Sequence, residues 1–68
     1  MKIGARIRQS RLARSQTLED LATATKIPWM TLTLIENDQA FPRLRELERL
    51  LVALDTTLDK LLRDESFE

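Results

Sequence analysis

The 68-residue chain has no cysteine, no histidine and a single glycine. Without cysteine there is no disulfide framework and no thiolate nucleophile, and without histidine the commonest general base is missing. Both absences together remove the nitrogen and sulfur ligands of zinc sites. One glycine is too few for the glycine-rich loops that cradle phosphates or dinucleotides. We therefore expect no metal, no cofactor and no enzymatic activity.

Long apolar runs are also missing. The longest, residues 50–54 (LLVAL), is far shorter than the roughly 20 residues that a membrane-spanning helix needs. The charged start of the chain is not followed by an apolar segment. A domain of this size buries only about 60% of its unfolded surface, which leaves little core for a catalytic cleft. These features predict one small cytoplasmic domain that does not enter a membrane.

Eleven basic and eleven acidic residues give a net charge of zero, but they are unevenly distributed. Residues 1–26 hold six basic and two acidic residues, which leaves +4, and residues 27–68 hold five basic and nine acidic residues, which leaves −4. Such asymmetry suits a protein that turns one face to a polyanion. An arginine-rich helix that only faces water fits the same pattern.

Apolar residues recur at helical spacing and indicate helices throughout. We predict a first helix to about residue 14, a second starting at Thr17, a third over about 28–36, a fourth over about 44–54 and a short fifth capped by Thr57. Thr17 and Asp20 have the spacing of a capping box, and Pro28 suits the first position of a helix. The apolar faces of the first and fourth helices are predicted to carry Ile3, Ile7 and Leu12, and Leu44, Leu47, Leu50, Leu51 and Leu54. The expected fold class is all-α, a compact five-helix domain over residues 1–63 with an acidic tail at 64–68.

The second and third helices have the spacing of a helix-turn-helix, about residues 18–37. Ala22 is small enough to let the two helices cross closely, and Ile27, Leu32 and Ile35 are placed to hold the crossing. The third helix then projects from the body at a size that the major groove of B-DNA admits.

Five segments of the chain match one known family in order and spacing: residues 3–8, 17–22, 35–37, 41–44, and 53–54 with 58–62. Together they resemble the helix-turn-helix domains of the Cro and phage-repressor (XRE) type. The resemblance implies a sequence-specific transcriptional regulator that binds double-stranded DNA, usually as a homodimer, with its third helix in the major groove of an operator.

The resemblance also implies roles for individual residues. Arg11 and Glu36 match a partly buried ion pair between the first and third helices. By position, the resemblance assigns base readout to Trp29, Met30, Thr31, Thr33 and Leu34. Phosphate contacts fall to Gln16, Thr17, Lys26, Asn37 and Arg43, although a solvated surface role stays open for each basic residue.

Two departures from the family affect this expectation. The third helix lacks the Arg, Asn and Gln side chains that read bases by paired hydrogen bonds, so we expect modest specificity and a preference for thymine methyl groups. The loop at 38–40 offers no positive charge and one negative charge, at Asp38.

An alternative function is a protein-interaction module, an antirepressor or antitoxin, that uses the apolar third helix, since exposed Trp and Met are typical of protein interfaces. Trp29 and Leu34 could also tuck against the body.

A dimer interface is predicted in the C-terminal region, at Val52, Thr56, Leu58 and Leu62, with Phe67 as a further member. Such a dimer would set two recognition helices about one DNA turn apart, roughly 34–36 Å. The alternative is that these leucines complete the core of a monomer.

Overall fold

The structure is a computed structural model that describes residues 3–63. Five α-helices follow one another: α1 (Ile3–Ala13), α2 (Leu18–Thr25), α3 (Trp29–Glu36), α4 (Leu44–Ala53) and α5 (Leu58–Leu62). No strand occurs within this described range. The all-α, five-helix fold class is confirmed. The predicted acidic tail at 64–68, with Phe67, lies outside the described residues.

Local hydrogen bonds cap the starts of α2 and α5. Thr17 accepts a bond from the backbone N–H of Asp20, whose carboxylate accepts from the N–H of Thr17, both at 3.0 Å. This confirms the predicted capping box. Thr57 caps α5 in the same way, by accepting from the N–H of Lys60 at 3.1 Å. Pro28, predicted as the first residue of a helix, is instead the N-cap of α3, because its ψ of 140° is extended.

Each of the four turns between helices contains one residue with a left-handed backbone, and none of these is glycine. They are Ser15, Lys26, Asp38 and Asp55, with φ between 54° and 60°. This conformation costs an ordinary residue about 1–2 kcal/mol, so the turns are closed by their hydrogen bonds rather than by glycine. In three turns an amide donates to the carbonyl five residues earlier, at 2.8–3.1 Å: Gln16 to Arg11, Gln39 to Leu34 and Thr56 to Leu51.

The core lies between all five helices and is aliphatic. Its buried residues are Ile3, Ile7, Leu21, Ile27, Leu32, Ile35, Leu50, Leu54 and Leu61. Two residues expected on apolar faces are exposed instead. Leu12 is 52% exposed because the inward positions of α1 are Ile7 and Arg11, and Leu12 is rotated past them. Leu44 is the first residue of α4, one turn before Leu47, which is partly buried and packs against the core.

A close contact between α1 and the end of α3 passes through the only glycine. Gly4 is buried, and a Cβ atom there would overlap the carbonyl oxygen of Ile35 and lie 2.9 Å from that of Glu36. The backbone N–H of Gly4 donates to Oδ1 of Asp38 at 3.0 Å. Asp38, in the turn that follows α3, therefore satisfies a free amide in the first turn of α1.

A buried ion pair joins the same two helices. Nε and Nη2 of Arg11 donate to Oε2 and Oε1 of Glu36 at 2.8 and 3.0 Å. Nη1 of Arg11 donates to the backbone oxygen of Gln16 at 2.9 Å. The hydrogen bonding of Arg11 to the carboxylate of Glu36 raises the pKa of Arg11 above its ordinary value. The pair assigned by resemblance thus takes the form of a two-bond bridge that also ties down the turn before α2.

Candidate nucleic-acid interface

The turn between α2 and α3 sets how α3 leaves the body. The hydroxyl of Thr25, which is buried, donates to the carbonyl of Leu21 at 2.7 Å and accepts from the N–H of Ile27 at 3.3 Å. Lys26, left-handed, closes α2 by donating its N–H to Ala22 at 2.8 Å. Ile27 is buried in the core and Pro28 then starts α3. The direction of α3 is therefore fixed by the backbone bond of Lys26 and by two buried side chains, Thr25 and Ile27.

The two sides of α3 differ sharply in burial. Its inner side, Leu32, Ile35 and Glu36, is buried. On its outer side, Trp29 is 55%, Met30 62% and Leu34 41% exposed. Trp29 and Leu34 thus point outward rather than tuck against the body. Met30 and Leu34 are four residues apart and form one continuous apolar stripe along the outer side.

The two threonines of α3 have less hydrogen-bonding capacity than their number indicates. Thr31 and Thr33 are both half-buried. The hydroxyl of Thr33 donates its proton to the carbonyl of Trp29 at 2.9 Å. Thr33 is left only as an acceptor, which suits the amino groups of adenine or cytosine and excludes a donated bond to a base.

The entrance of α2 holds the two predicted phosphate residues Gln16 and Thr17. Thr17 is exposed, and because its oxygen accepts from Asp20 its hydroxyl proton is still available to a phosphate. Gln16 is half-buried, and its Oε1 is a buried atom without a hydrogen-bond partner. The two residues lie side by side at the helix N-terminus, a place where anions bind.

Two acidic side chains in the first turn of α2 act against an anion at that entrance. The bond from the backbone N–H of Thr17 holds the pKa of Asp20 below its ordinary value, so its carboxylate is charged near neutral pH. Glu19 adds a second negative charge. Both stabilise α2 through the helix dipole, and both lower its attraction for phosphate.

Basic and polar residues flank α3 in the chain. Lys26 precedes it by three residues and is exposed. Asn37, the C-cap of α3, is exposed, and its N–H donates to Thr33 at 3.0 Å. Arg43, the N-cap of α4, is exposed, and its backbone N–H donates to Glu46 at 2.8 Å. The apolar stripe of α3 therefore has a cation before it and another after it.

The negative charge of the loop at 38–40 has a structural use that the sequence pattern did not indicate. The carboxylate of Asp38 is engaged with Gly4, as described above. Arg6 was missed as well: its Nη1 donates to the carbonyls of Leu61 and Arg63 at 3.3 and 3.0 Å, which ties α1 to the end of α5. The lone glycine inside a helical pattern was the signal that could have indicated the contact between Gly4 and Asp38.

The residues predicted for a dimer interface are not equally accessible. Val52 is 80% exposed and stands between two open depressions, one between α2 and α4 and one at the start of α5. Thr56 lines the second depression and Leu58 is exposed. Leu62 is half-buried and packs against the core, as expected of a residue that completes the monomer.

Two other kinds of site are absent from the described part of the chain. Over residues 3–63, no group of three or more acidic side chains is placed to hold a metal ion. None of the helices in that range has the length and apolar character needed to cross a membrane.

A protein-family model described as "Helix-turn-helix domain" matches residues 2–64, nearly the whole chain. This chain belongs to that helix-turn-helix family. No curated protein and no solved structure matches it. The family agrees with the XRE-type resemblance and indicates a DNA-binding domain. Helix-turn-helix domains typically act in transcription regulation rather than as enzymes.

Proposed function

We propose that this helix-turn-helix domain is a sequence-specific transcriptional regulator that binds an operator with α3 in the major groove. The observation that carries the proposal is the difference between the two sides of α3. Its inner side is fixed by the core and by the Arg11–Glu36 pair, while its outer side is uncharged and projects. A helix held in this way at the second position of a helix-turn-helix is the element that enters the groove.

Affinity in this proposal comes mainly from phosphate contacts on both sides of α3. Lys26 and Arg43 supply positive charge, and Gln16, Thr17 and Asn37 supply hydrogen bonds. Each neutralised phosphate contributes about −0.9 to the slope of log K against log salt. The acids in the first turn of α2 leave most of the charge compensation to Lys26 and Arg43.

We propose further that two copies bind together. An operator of two half-sites needs two recognition helices roughly 34–36 Å apart. Val52 supports a symmetric contact because it is the most exposed large apolar residue of α4 and has open depressions on both sides. Thr56, Leu58 and Leu62 would extend that contact. Sedimentation tests it: the parent should form dimers, and Val52→Arg should sediment as a monomer with unchanged helix content.

The test of DNA binding is selection of bound fragments from the source genome, followed by titration of the best fragment and a scrambled one at several salt concentrations. We expect a preference above about a thousandfold. Arg43→Gln should reduce the salt slope by about 0.9. Arg63→Gln is the matched control, since Arg63 is an exposed arginine paired with Asp59 at the end of α5, and its slope should equal the parent's. Equal, weak binding to all fragments would refute operator reading.

The second candidate function is the protein-interaction module, an antirepressor or antitoxin. The exposure of Trp29 and Met30 favours it, because such side chains are typical anchors of protein interfaces. It predicts a stable complex with a partner protein that is lost in Trp29→Ala and is insensitive to salt. Equal, weak DNA binding combined with such a complex would select this function.

A further inference from the structure

The apolar side chains on the outer side of α3 match one chemical feature of the major groove, the methyl group. The pattern that a base pair shows there consists of hydrogen-bond donors, hydrogen-bond acceptors and the C5-methyl group of thymine. Of the exposed side chains of α3, Met30 and Leu34 match only the methyl group, whereas Trp29 also carries an indole N–H donor. We propose that α3 reads the 5-methyl groups of pyrimidines, of thymine and of 5-methylcytosine alike, mainly through Met30 and Leu34. This inference rests on the proposed function and names the group that the same site recognises.

Met30 and Leu34 carry the proposal because of their placement. They lie one turn apart on the same side of α3, at 62% and 41% exposure, while the inner side of the helix is buried. Two apolar side chains at this spacing can contact methyl groups on neighbouring base steps. Removal of each methyl group from water favours binding by about fourfold.

The hydrogen-bonding groups of α3, on Trp29, Thr31 and Thr33, cannot detect a methyl group. The hydroxyl of Thr33 donates its hydrogen bond to the carbonyl of Trp29, so toward a base it can only accept. An accepted bond from a base amino group is open to adenine and to cytosine, with or without methylation, so it does not distinguish the methylated base from the unmethylated one. Discrimination between pyrimidines with and without a 5-methyl group therefore falls to the apolar stripe.

Charge favours duplex DNA over a protein as the occupant of this stripe. The chain puts Lys26 just before α3 and Arg43 shortly after it, whereas the charge on α3 itself, at Glu36, is buried and paired with Arg11. An uncharged helix side with a cation before it and another after it in the chain suits a groove that is edged by phosphates.

The experiment compares thymine, uracil, 5-methylcytosine and cytosine at each thymine position of the selected operator half-site. Each pyrimidine is placed opposite its complementary purine. Thymine and uracil share the same hydrogen-bonding groups, as do 5-methylcytosine and cytosine, but only thymine and 5-methylcytosine carry the methyl group. At the positions that α3 contacts we expect thymine and 5-methylcytosine to bind alike, and uracil and cytosine to bind about fourfold more weakly at each position. An operator methylated on cytosine is then recognised like one that contains thymine.

Variants connect the methyl effect to α3. Leu34→Ala and Met30→Ala should bring the thymine-to-uracil affinity ratio close to one at the positions they contact. Leu12→Ala is the matched control: Leu12 is 52% exposed on α1, and its loss should leave the ratio unchanged. Because all three side chains are exposed, circular dichroism should show parent-like folding.

The outcomes of these titrations separate the two proposals. If uracil binds as tightly as thymine, and cytosine as tightly as 5-methylcytosine, methyl reading is overturned and operator binding stays intact. Methyl reading by α3 is likewise overturned if the thymine-to-uracil ratio is unchanged in both α3 variants. If the chain prefers no duplex and instead binds a protein through Met30 and Leu34, operator binding and methyl reading are both overturned.

Discussion

Loss of the Glu36 carboxylate should cost this domain a large part of its stability. Glu36→Ala leaves the guanidinium of Arg11 buried with one hydrogen bond, to the backbone of Gln16, in place of three. An arginine cannot lose its proton to escape the cost of burial. Removing one partner of a buried pair costs about 3–5 kcal/mol.

The total stability decides what that loss means. A domain of this length has roughly 3–10 kcal/mol of unfolding free energy. In a domain of 60–100 residues, each 1 kcal/mol shifts Tm by about 4–8 °C, so the variant should melt at least about 12 °C below the parent. Thermal and urea unfolding followed by far-ultraviolet circular dichroism measures the change. Trp29 is a poor fluorescence probe here because it is already more than half exposed when folded.

A double variant distinguishes a stranded charge from a general packing defect. Replacing both partners, as Arg11→Met with Glu36→Leu, removes both charges and keeps most of the volume, and such exchanges are often neutral or stabilising. We therefore expect the double variant to be more stable than Glu36→Ala. A loss below about 1 kcal/mol in Glu36→Ala, or a double variant less stable than the single one, would refute the reasoning.

Three further predictions test local features of the fold. Gly4→Ala should destabilise by about 1–3 kcal/mol in urea unfolding, because its Cβ overlaps the carbonyl oxygen of Ile35, and an unchanged midpoint would refute this close contact. Ser15→Gly should stabilise by about 0.5–1 kcal/mol, the left-handed penalty less the entropy cost of glycine, whereas Ser10→Gly, inside α1, should destabilise; equal effects would contradict the turn geometry. Asp20 should titrate by NMR below the ordinary carboxyl pKa. Its lowered pKa stabilises the fold above the unfolded-state value, and this contribution disappears as pH falls through the folded value, a dependence that Asp20→Asn should lack.

Local features of this chain could be predicted because they depend on residues close in sequence. The capping box at Thr17 needs only Asp20, three residues later, and the break at Pro28 follows from proline itself. The wrong predictions concern the rotation of a helix against the core and the exposure of a helix end. Leu12 and Leu44 fit apolar spacing, but spacing does not say how a helix is turned against the core or where its first turn extends past it.

Contacts between distant residues were not predictable from pattern. The bond from Gly4 to Asp38 joins positions 34 residues apart, and neither residue type indicates the other. Asp38 was interpreted only as a charge unfavourable to phosphate, although its carboxylate is engaged with α1. Thr33 was likewise assigned to base readout, and only the structure shows that its hydroxyl donates to the carbonyl of Trp29.

The division of α3 into an inner and an outer side decides how variants of this domain should be interpreted. Gly4, Arg11 and Glu36 hold α3 from within, so their replacement would weaken any activity of α3 without contact with a ligand. Met30 and Leu34 make no comparable contribution to the core, since both are exposed. Loss of binding at unchanged stability therefore identifies the recognition surface only when the change is on the outer side. The outer side can accordingly change its specificity while the fold that presents it is retained.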